Sequence, residues 1–244
     1  MRIALLGSTG LIGKNVAQLL AQLDEVESVY CPVRSVPDLN ALGIFNGASK
    51  FNFDTVDFDA LLSSPPGEQW RSSVCKNFSG CDAVVCCLGT TFKQAGSKPA
   101  QERVDLRLPL TLAALARHQG VKHFLCVSAM GANPYSPFFY NRLKGMLEKG
   151  LTMIGFESLT LVRPSLLLGK HKDKRFGEEL MQKLFGAHAE WIPAYFRPVH
   201  AETVAAHLVA NLLKPPTDHV CATDGVKGKR IVYNRQFFKF GKKQ

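Results

Sequence analysis

Short apolar runs alternate with helix-length amphipathic stretches along most of the 244 residues. RIALLG (2–7), VESVYCPV (26–33), CDAVVCCLG (81–89), KHFLCVS (122–128) and SLTLVRP (158–164) have strand length, and SKFNFD (49–54) is a weaker case. Between them apolar residues recur at helical spacing: Val16, Leu19, Leu20 and Leu23 after the first run, then similar patterns over 99–119, 138–154 and 201–213. Near-continuous apolar runs suit strands covered on both faces, and strands separated by helices build parallel sheets. The pattern predicts an α/β chain with a doubly wound parallel sheet. No repeat or low-complexity linker divides it, so one domain over 1–244 is expected. From 169 to 197 the pattern loosens. That segment is expected to be either a small substrate-side lobe or lid, or a plain surface excursion.

Composition changes this picture little. The chain is 46% hydrophobic and 20% charged, as ordinary globular proteins are. Its formal net charge of +10 sits mostly in residues 227–244, which hold seven Lys and Arg and no acid. The rest of the chain holds 23 basic and 20 acidic residues, which argues against nucleic acid or a membrane as partner. The basic segment, with Phe237, Phe238 and Phe240, is expected to be a tail that either touches an acidic surface or stays solvated with its aromatics tucked onto the domain. Of seven cysteines, none in a CxxC pattern, Cys86, Cys87 and Cys126 fall in strand runs and are expected to be core thiols in a reducing compartment. The first apolar run stops at Gly7, so no secretory core forms, and the longest uncharged stretch is broken by Gly131, Asn133, Pro134 and Pro137. These features predict a cytoplasmic chain. The histidines show no metal spacing, and no metal is expected; His200 should end a strand and His207 should be half-exposed. Ser128 has no G-x-S-x-G elbow around it.

The candidate chemistry lies at the ends of the strand runs. GSTGLIG places Gly7, Gly10 and Gly13 between the first strand and the first helix. Gly7 permits the tight turn, Gly10 a close approach of backbone to a pyrophosphate, and Gly13 close helix-to-sheet packing. The helix start then offers free N–H groups to phosphates. The second run ends YCPVRS, without the carboxylate that would bind the ribose hydroxyls of NAD. Arg34 stands where a guanidinium could pair with a 2′-phosphate, so NADP(H) is expected over NAD(H); the competing use is a solvated loop arginine. Asp54 could accept from the adenine amino group or serve as a helix cap.

Ser128 ends the fifth run, and Tyr140 and Lys144 follow at helical i, i+4 spacing, which puts phenol and ammonium on one face. A tyrosine is a poor base at neutral pH, and a nearby ammonium stabilises its phenolate. Tyr140 could then exchange a proton with a substrate oxygen, Ser128 could hydrogen-bond that oxygen, and Lys144 could hold ribose hydroxyls. Alone, such a pair is more often one face of an amphipathic helix than a catalytic pair; the nucleotide loop upstream and the strand ending in Ser128 reverse that order.

Together, Gly7, Gly10, Gly13, Ser128, Tyr140 and Lys144 resemble the short-chain dehydrogenase/reductases. CCLGTT (86–91), RVD (103–105), FYNRLKGMLE (139–148) and VRPSLLLG (162–169) resemble the atypical branch that contains the Tat-interactive protein. The likeness spans about 2–213. It implies a Rossmann fold with a small C-terminal substrate-side lobe, and Ser128, Tyr140 and Lys144 as catalytic residues. It also implies cofactor contacts from Ser8, Thr9, Leu11 and Ile12 at the phosphates, Leu88, Gly89 and Thr90 beside the riboses, and Pro164, Ser165 and Leu166 beside the nicotinamide. One departure stands out: where many members carry a catalytic asparagine, QERVDLRLPL (101–110) has none. Two functions follow from the residues and the resemblance. One is an NADP-dependent oxidoreductase acting on a small carbonyl or alcohol. The other is a non-catalytic NADPH-binding regulator or assembly factor with a protein partner.

Overall fold

The structure, a computed structural model, describes residues 1–168, 193–215 and 228–238. At its centre β1 (Arg2–Leu6) pairs in parallel with β2 (Ser28–Val33) on one side and β4 (Ala83–Cys86) on the other. Beyond β2 lies β3 (Phe51–Thr55); beyond β4 follow β5 (His123–Val127), β6 (Ser158–Arg163) and β9 (Lys229–Tyr233). All these pairings are parallel, so the sheet is the doubly wound one that the alternation predicts. Two short strands, β7 (Leu167–Leu168) and β8 (Val199–His200), form a separate parallel pair.

The period of two along each strand sorts the core into two layers. Ile3, Leu5, Val29, Cys31, Val85 and Leu125 face α1 (Leu11–Gln22) and α4 (Ala201–Leu213), which lie against each other. Ala4, Leu6, Val84, Cys86, Phe124 and Cys126 face α2 (Leu108–His118) and α3 (Phe139–Ile154). Both faces of each central strand are therefore dry, which is why the runs read as continuously apolar.

The basic C-terminal segment is a correction to the sequence reading. Residues 228–238 do not form a tail. They supply β9, an edge strand of the sheet, followed by a short helix, Asn234–Phe237, with Val232 and Phe237 buried. Four Lys and Arg around Ile231 and Val232 hide a strand pattern whose apolar half is only two residues long. His207 is also corrected: it is buried, its ring edge-on to Phe237 at 4.8 Å between centroids. His200 does end a strand, β8. Most of the expected lobe, and the last six residues with Phe240, lie outside the described residues.

One contact fixes the start of α3. The loop over residues 129–137 lies directly on this helix, and Asn133 N–H donates to Asn141 O at 3.0 Å while Asn141 Nδ2 donates to Gly131 O at 3.1 Å. Gly145 permits this approach, since a Cβ there would stand 2.1 Å from the Asn133 carbonyl carbon. Backbone cannot yield as a side-chain tip can, so Gly145→Ala is expected to cost about 1–3 kcal/mol, read from urea unfolding of parent and variant. Equal stability in the two would show that the loop is not pressed onto the helix.

Candidate active site

The sheet order reverses between β1 and β4, and a crevice opens at the carboxyl ends of the strands at such a point. Gly7 leaves β1 with φ +79, and its hydrogen atom faces the Cys87 backbone, where a Cβ would meet the carbonyl at 3.0 Å. Gly13 is tighter still: its Cβ would lie 2.0 Å from Gly7 O. Gly10 caps α1 without a side-chain bond, and the first turn carries no acid. The N–H groups of that turn thus remain open to an anion. Thr9 and Gly10 are exposed and Leu11 is half-buried, whereas Ser8 and Ile12 are buried.

Arg34 is exposed just past the end of β2 and forms no ion pair among the described residues. Asp54 is not the helix cap that the sequence also allowed for it. Its Oδ2 accepts from Tyr30 Oη at 3.2 Å and from Asn77 Nδ2 at 3.0 Å, and the helix cap is Asp57, which accepts from Asp59 and Ala60 N–H. Burial, with the Asp54 charge beside it, pushes the Tyr30 phenol above its ordinary value.

The structure brings Gly89, Thr90, Tyr140 and Lys144 together. Lys144 is buried on α3, and its Nζ stands 2.8 Å from Asp105 Oδ1. The same carboxylate, through Oδ2, accepts the Thr90 N–H at 3.0 Å. Gly89 lies against the pair: a Cβ there would stand 3.4 Å from Asp105 Oδ1 and 3.7 Å from Lys144 Nζ, at ordinary contact distance. Asp105 reaches inward from a π-helical turn, Arg103–Arg107, between the short helix Lys98–Glu102 and α2. Such turns insert a residue and often mark functional sites. Burial alone would pull the Lys144 pKa down; the Tyr140 hydroxyl and the Asp105 carboxylate outweigh it and hold it above the usual lysine value.

Tyr140 is 41% exposed, its ring centroid 5.8 Å from Lys144 Nζ. It forms one wall of an open cleft of about 450 Å³ with Thr90, Thr91, Phe92, Lys98, Gln101 and Phe139. Ser128 is placed elsewhere. It is buried, and its hydroxyl donates to Glu148 Oε1 at 2.5 Å instead of facing the cleft. Glu148 also accepts from Arg163 Nε at 2.8 Å, so this carboxylate joins α3 to the ends of β5 and β6. Pro164 is buried and Leu166 exposed, while Ser165 N–H donates to Asn234 Oδ1 at 2.9 Å. Asn234, itself buried, donates through Nδ2 to the carbonyls of Ala194, Tyr195 and Arg197 and pins the returning chain beside Ser165.

Asp105 and Glu148 are the residues that sequence reasoning missed as site residues. Each left a signal. Asp105 lies between Val104 and Leu106, and Glu148 shares the buried face of α3 with Leu143, Lys144, Leu147 and Leu151. A charge on an apolar helix face calls for an opposite charge opposite it. Among the described residues, no group of three or more His, Cys, Asp or Glu is placed to hold a metal ion. No helix among them is long and apolar enough to cross a membrane.

No family model matches the chain. Among curated proteins, Protein HTATIP2 of Rattus norvegicus is 36% identical over 165 residues, which are 67% of this chain and 63% of that protein. The protein FMP52, mitochondrial, of Candida albicans is 27% identical over 206 residues, 84% of each chain. Among solved structures, the oxidoreductase ylbE from Lactococcus lactis superposes with a TM-score of 0.60 at 18% identity, over 98% of this chain and 96% of that one. The UDP-glucuronic acid 4-epimerase from Bacillus cereus, in complex with NAD, gives 0.64 at 13% identity over 95% and 76%. The fold is thus the Rossmann fold of NAD(P)-binding epimerases and reductases. The expected cytoplasmic location is corrected, because several relatives are named mitochondrial, which points to mitochondria instead. The N-terminal apolar pattern tests only for a secretory signal and carries no information on that destination.

Lys144 is buried only with a partner, and this has a measurable pH signature. In the parent, its folded pKa lies above the unfolded value. The pair's contribution is therefore present below the unfolded pKa and lost only as pH rises through the folded one. In Asp105→Ala, burial acts on Lys144 without that carboxylate, and the folded pKa should drop below the unfolded value of about 10.4. Between those two values the unfolded chain holds more protons, so the variant's stability should rise with pH. A deficit of about 3–5 kcal/mol near neutrality is expected, narrowing towards about pH 9.5 as Lys144 loses its proton. Urea unfolding across that range reads it, and a deficit flat with pH would contradict it.

Proposed function

We propose that this chain, whose likeness to the atypical short-chain dehydrogenase/reductases and their Tat-interactive-protein branch is borne out by its relatives, is an NADP-dependent oxidoreductase. The observation that carries the reading is Tyr140 at the wall of an open cleft, with buried Lys144 behind it, at the same sheet edge as the glycine turn. The cradle fits a dinucleotide: Gly7 and Gly13 leave no room for a Cβ, and the start of α1 offers uncapped N–H groups. Arg34 supplies an exposed guanidinium just past the end of β2, with no ion pair among the described residues, suited to a 2′-phosphate.

A bound nicotinamide dinucleotide supplies or accepts the hydride. The chain's own residues do the rest. Tyr140 Oη–H donates a proton to the oxygen of a carbonyl seated in the cleft, and takes one back when an alcohol is oxidised. Lys144 Nζ, held by Asp105, presents a fixed positive charge beside that oxygen and donors for ribose hydroxyls. Asp105 is the positioning residue here, occupying the stretch where the expected asparagine is absent. Ser128 does not enter the step, because its proton is committed to Glu148. Leu88, Pro164 and Leu166 would border the bound dinucleotide, as the resemblance implies, and Ser165 is oriented by Asn234.

One observation favours the second reading, a non-catalytic NADPH-binding regulator with a protein partner: Ser128, Tyr140 and Lys144 do not converge as the resemblance implies. A panel of carbonyl compounds, with NADPH oxidation followed by absorbance, separates the two. The oxidoreductase reading expects turnover that Tyr140→Phe lowers by about 10²-fold or more, the size of lost acid–base catalysis. Tight NADPH binding without turnover on any compound would contradict it and favour the regulator. Cofactor choice is tested separately by titration with NADPH and NADH. The parent should prefer NADPH, and Arg34→Ala should lose about 1–3 kcal/mol of that preference. A parent with no preference would overturn the role given to Arg34.

A further inference from the structure

The cleft wall carries a chemical bias beyond the reacting atoms. Phe92, Phe139 and Tyr140 line it with aromatic rings, and Phe92 and Tyr140 are 56% and 41% exposed. Large exposed rings around a concavity mark a binding surface for an apolar ligand. Its volume, about 450 Å³, falls within the small-molecule range of about 300–1,000 Å³.

Charge in the cleft is one-sided. Lys98 is the charged side chain of the lining, and its Nζ lies 5.5 Å from the Phe139 ring centroid. Arg142 stands 5.9 Å from the same ring, its NH1 held by the carbonyls of Ser136 and Pro137. Among the described residues, no carboxylate lines the cleft. Asp105 lies behind Thr90 and is paired with Lys144, and Asp59 is paired with Arg103. Glu102, four residues after Lys98 on the same short helix, forms no ion pair with it. Lys98 is exposed beside these rings, and its ammonium can meet an anion that enters the cleft.

We infer that the cleft takes an aromatic or conjugated carbonyl compound bearing a carboxylate, the rings packing on Phe92 and Phe139 and the carboxylate meeting Lys98. This rests on the oxidoreductase reading for the fate of the carbonyl but not for the binding preference. In the reaction the carbonyl carbon gains the hydride of the reduced nicotinamide dinucleotide and its oxygen gains the Tyr140 proton. The products are an alcohol and the oxidised dinucleotide. The carboxylate is unchanged.

Binding alone provides the test. Naphthalene-2-carboxylate, 2-naphthylmethanol and 2-naphthylmethylammonium are titrated into the full chain saturated with NADPH, by calorimetry or ligand-observed NMR. The parent should bind the carboxylate about fivefold or more tighter than the alcohol, and the ammonium weakest. Lys98→Met should remove the spread, and Lys98→Glu should invert it, with melting temperatures as the check on folding. Equal binding of the three probes, or a spread unaltered in both variants, overturns the inference. Since no turnover is read, a site that binds the carboxylate yet reduces no carbonyl would sink the oxidoreductase reading while leaving this preference intact.

Discussion

Lys144 can be a buried cation at the edge of this sheet only because Asp105 faces it. An unpaired ammonium in an apolar interior gives up its proton or its place, and a carboxylate at 2.8 Å removes both outcomes. That one contact reaches into three elements. It joins the π-helical turn before α2 to α3 through Lys144, and through Thr90 N–H it joins that turn to the loop after β4. Tyr140, one turn before Lys144, then faces the cleft as a consequence of helix geometry.

A second ion pair sets the far end of the same helix. Glu148 lies one turn beyond Lys144 and receives Ser128 and Arg163 from the ends of β5 and β6. Helix α3 is thereby anchored at two charged points along one buried face, with Leu143, Leu147 and Leu151 packing between and beyond them. Two ion-paired anchors specify the rotation of α3 about its axis. Leucines alone would tolerate a wider range of rotations. The arrangement gives α3 the rigidity that a positioned proton donor requires.

Much of the fold was legible in the sequence because parallel strands buried on both faces announce themselves as apolar runs, and five of the seven sheet strands did so, while β3 showed only as a weaker, alternating segment. The edge strand β9 did not. Its two central apolar residues sit among lysines and arginines, and composition drew attention to charge in place of pattern. At the site, the glycine turn and the Tyr140–Lys144 spacing were readable because each follows from local geometry. Asp105 and the true position of Ser128 were not. The first depends on a π-helical insertion that no spacing rule anticipates, and the second on Glu148 arriving from twenty residues away. The location was misread for a different reason, since a destination signal is not a folding signal.

The central claim is that the glycine turn, Lys144 and Tyr140 surround one dinucleotide. A crystal structure of the full chain grown with NADPH tests it most directly. The account predicts the pyrophosphate over the first turn of α1, with a nicotinamide ribose hydroxyl within hydrogen-bond distance of Lys144 Nζ and the nicotinamide ring beside Tyr140. A dinucleotide bound away from Lys144, or a crevice that remains empty at saturating NADPH, would contradict it.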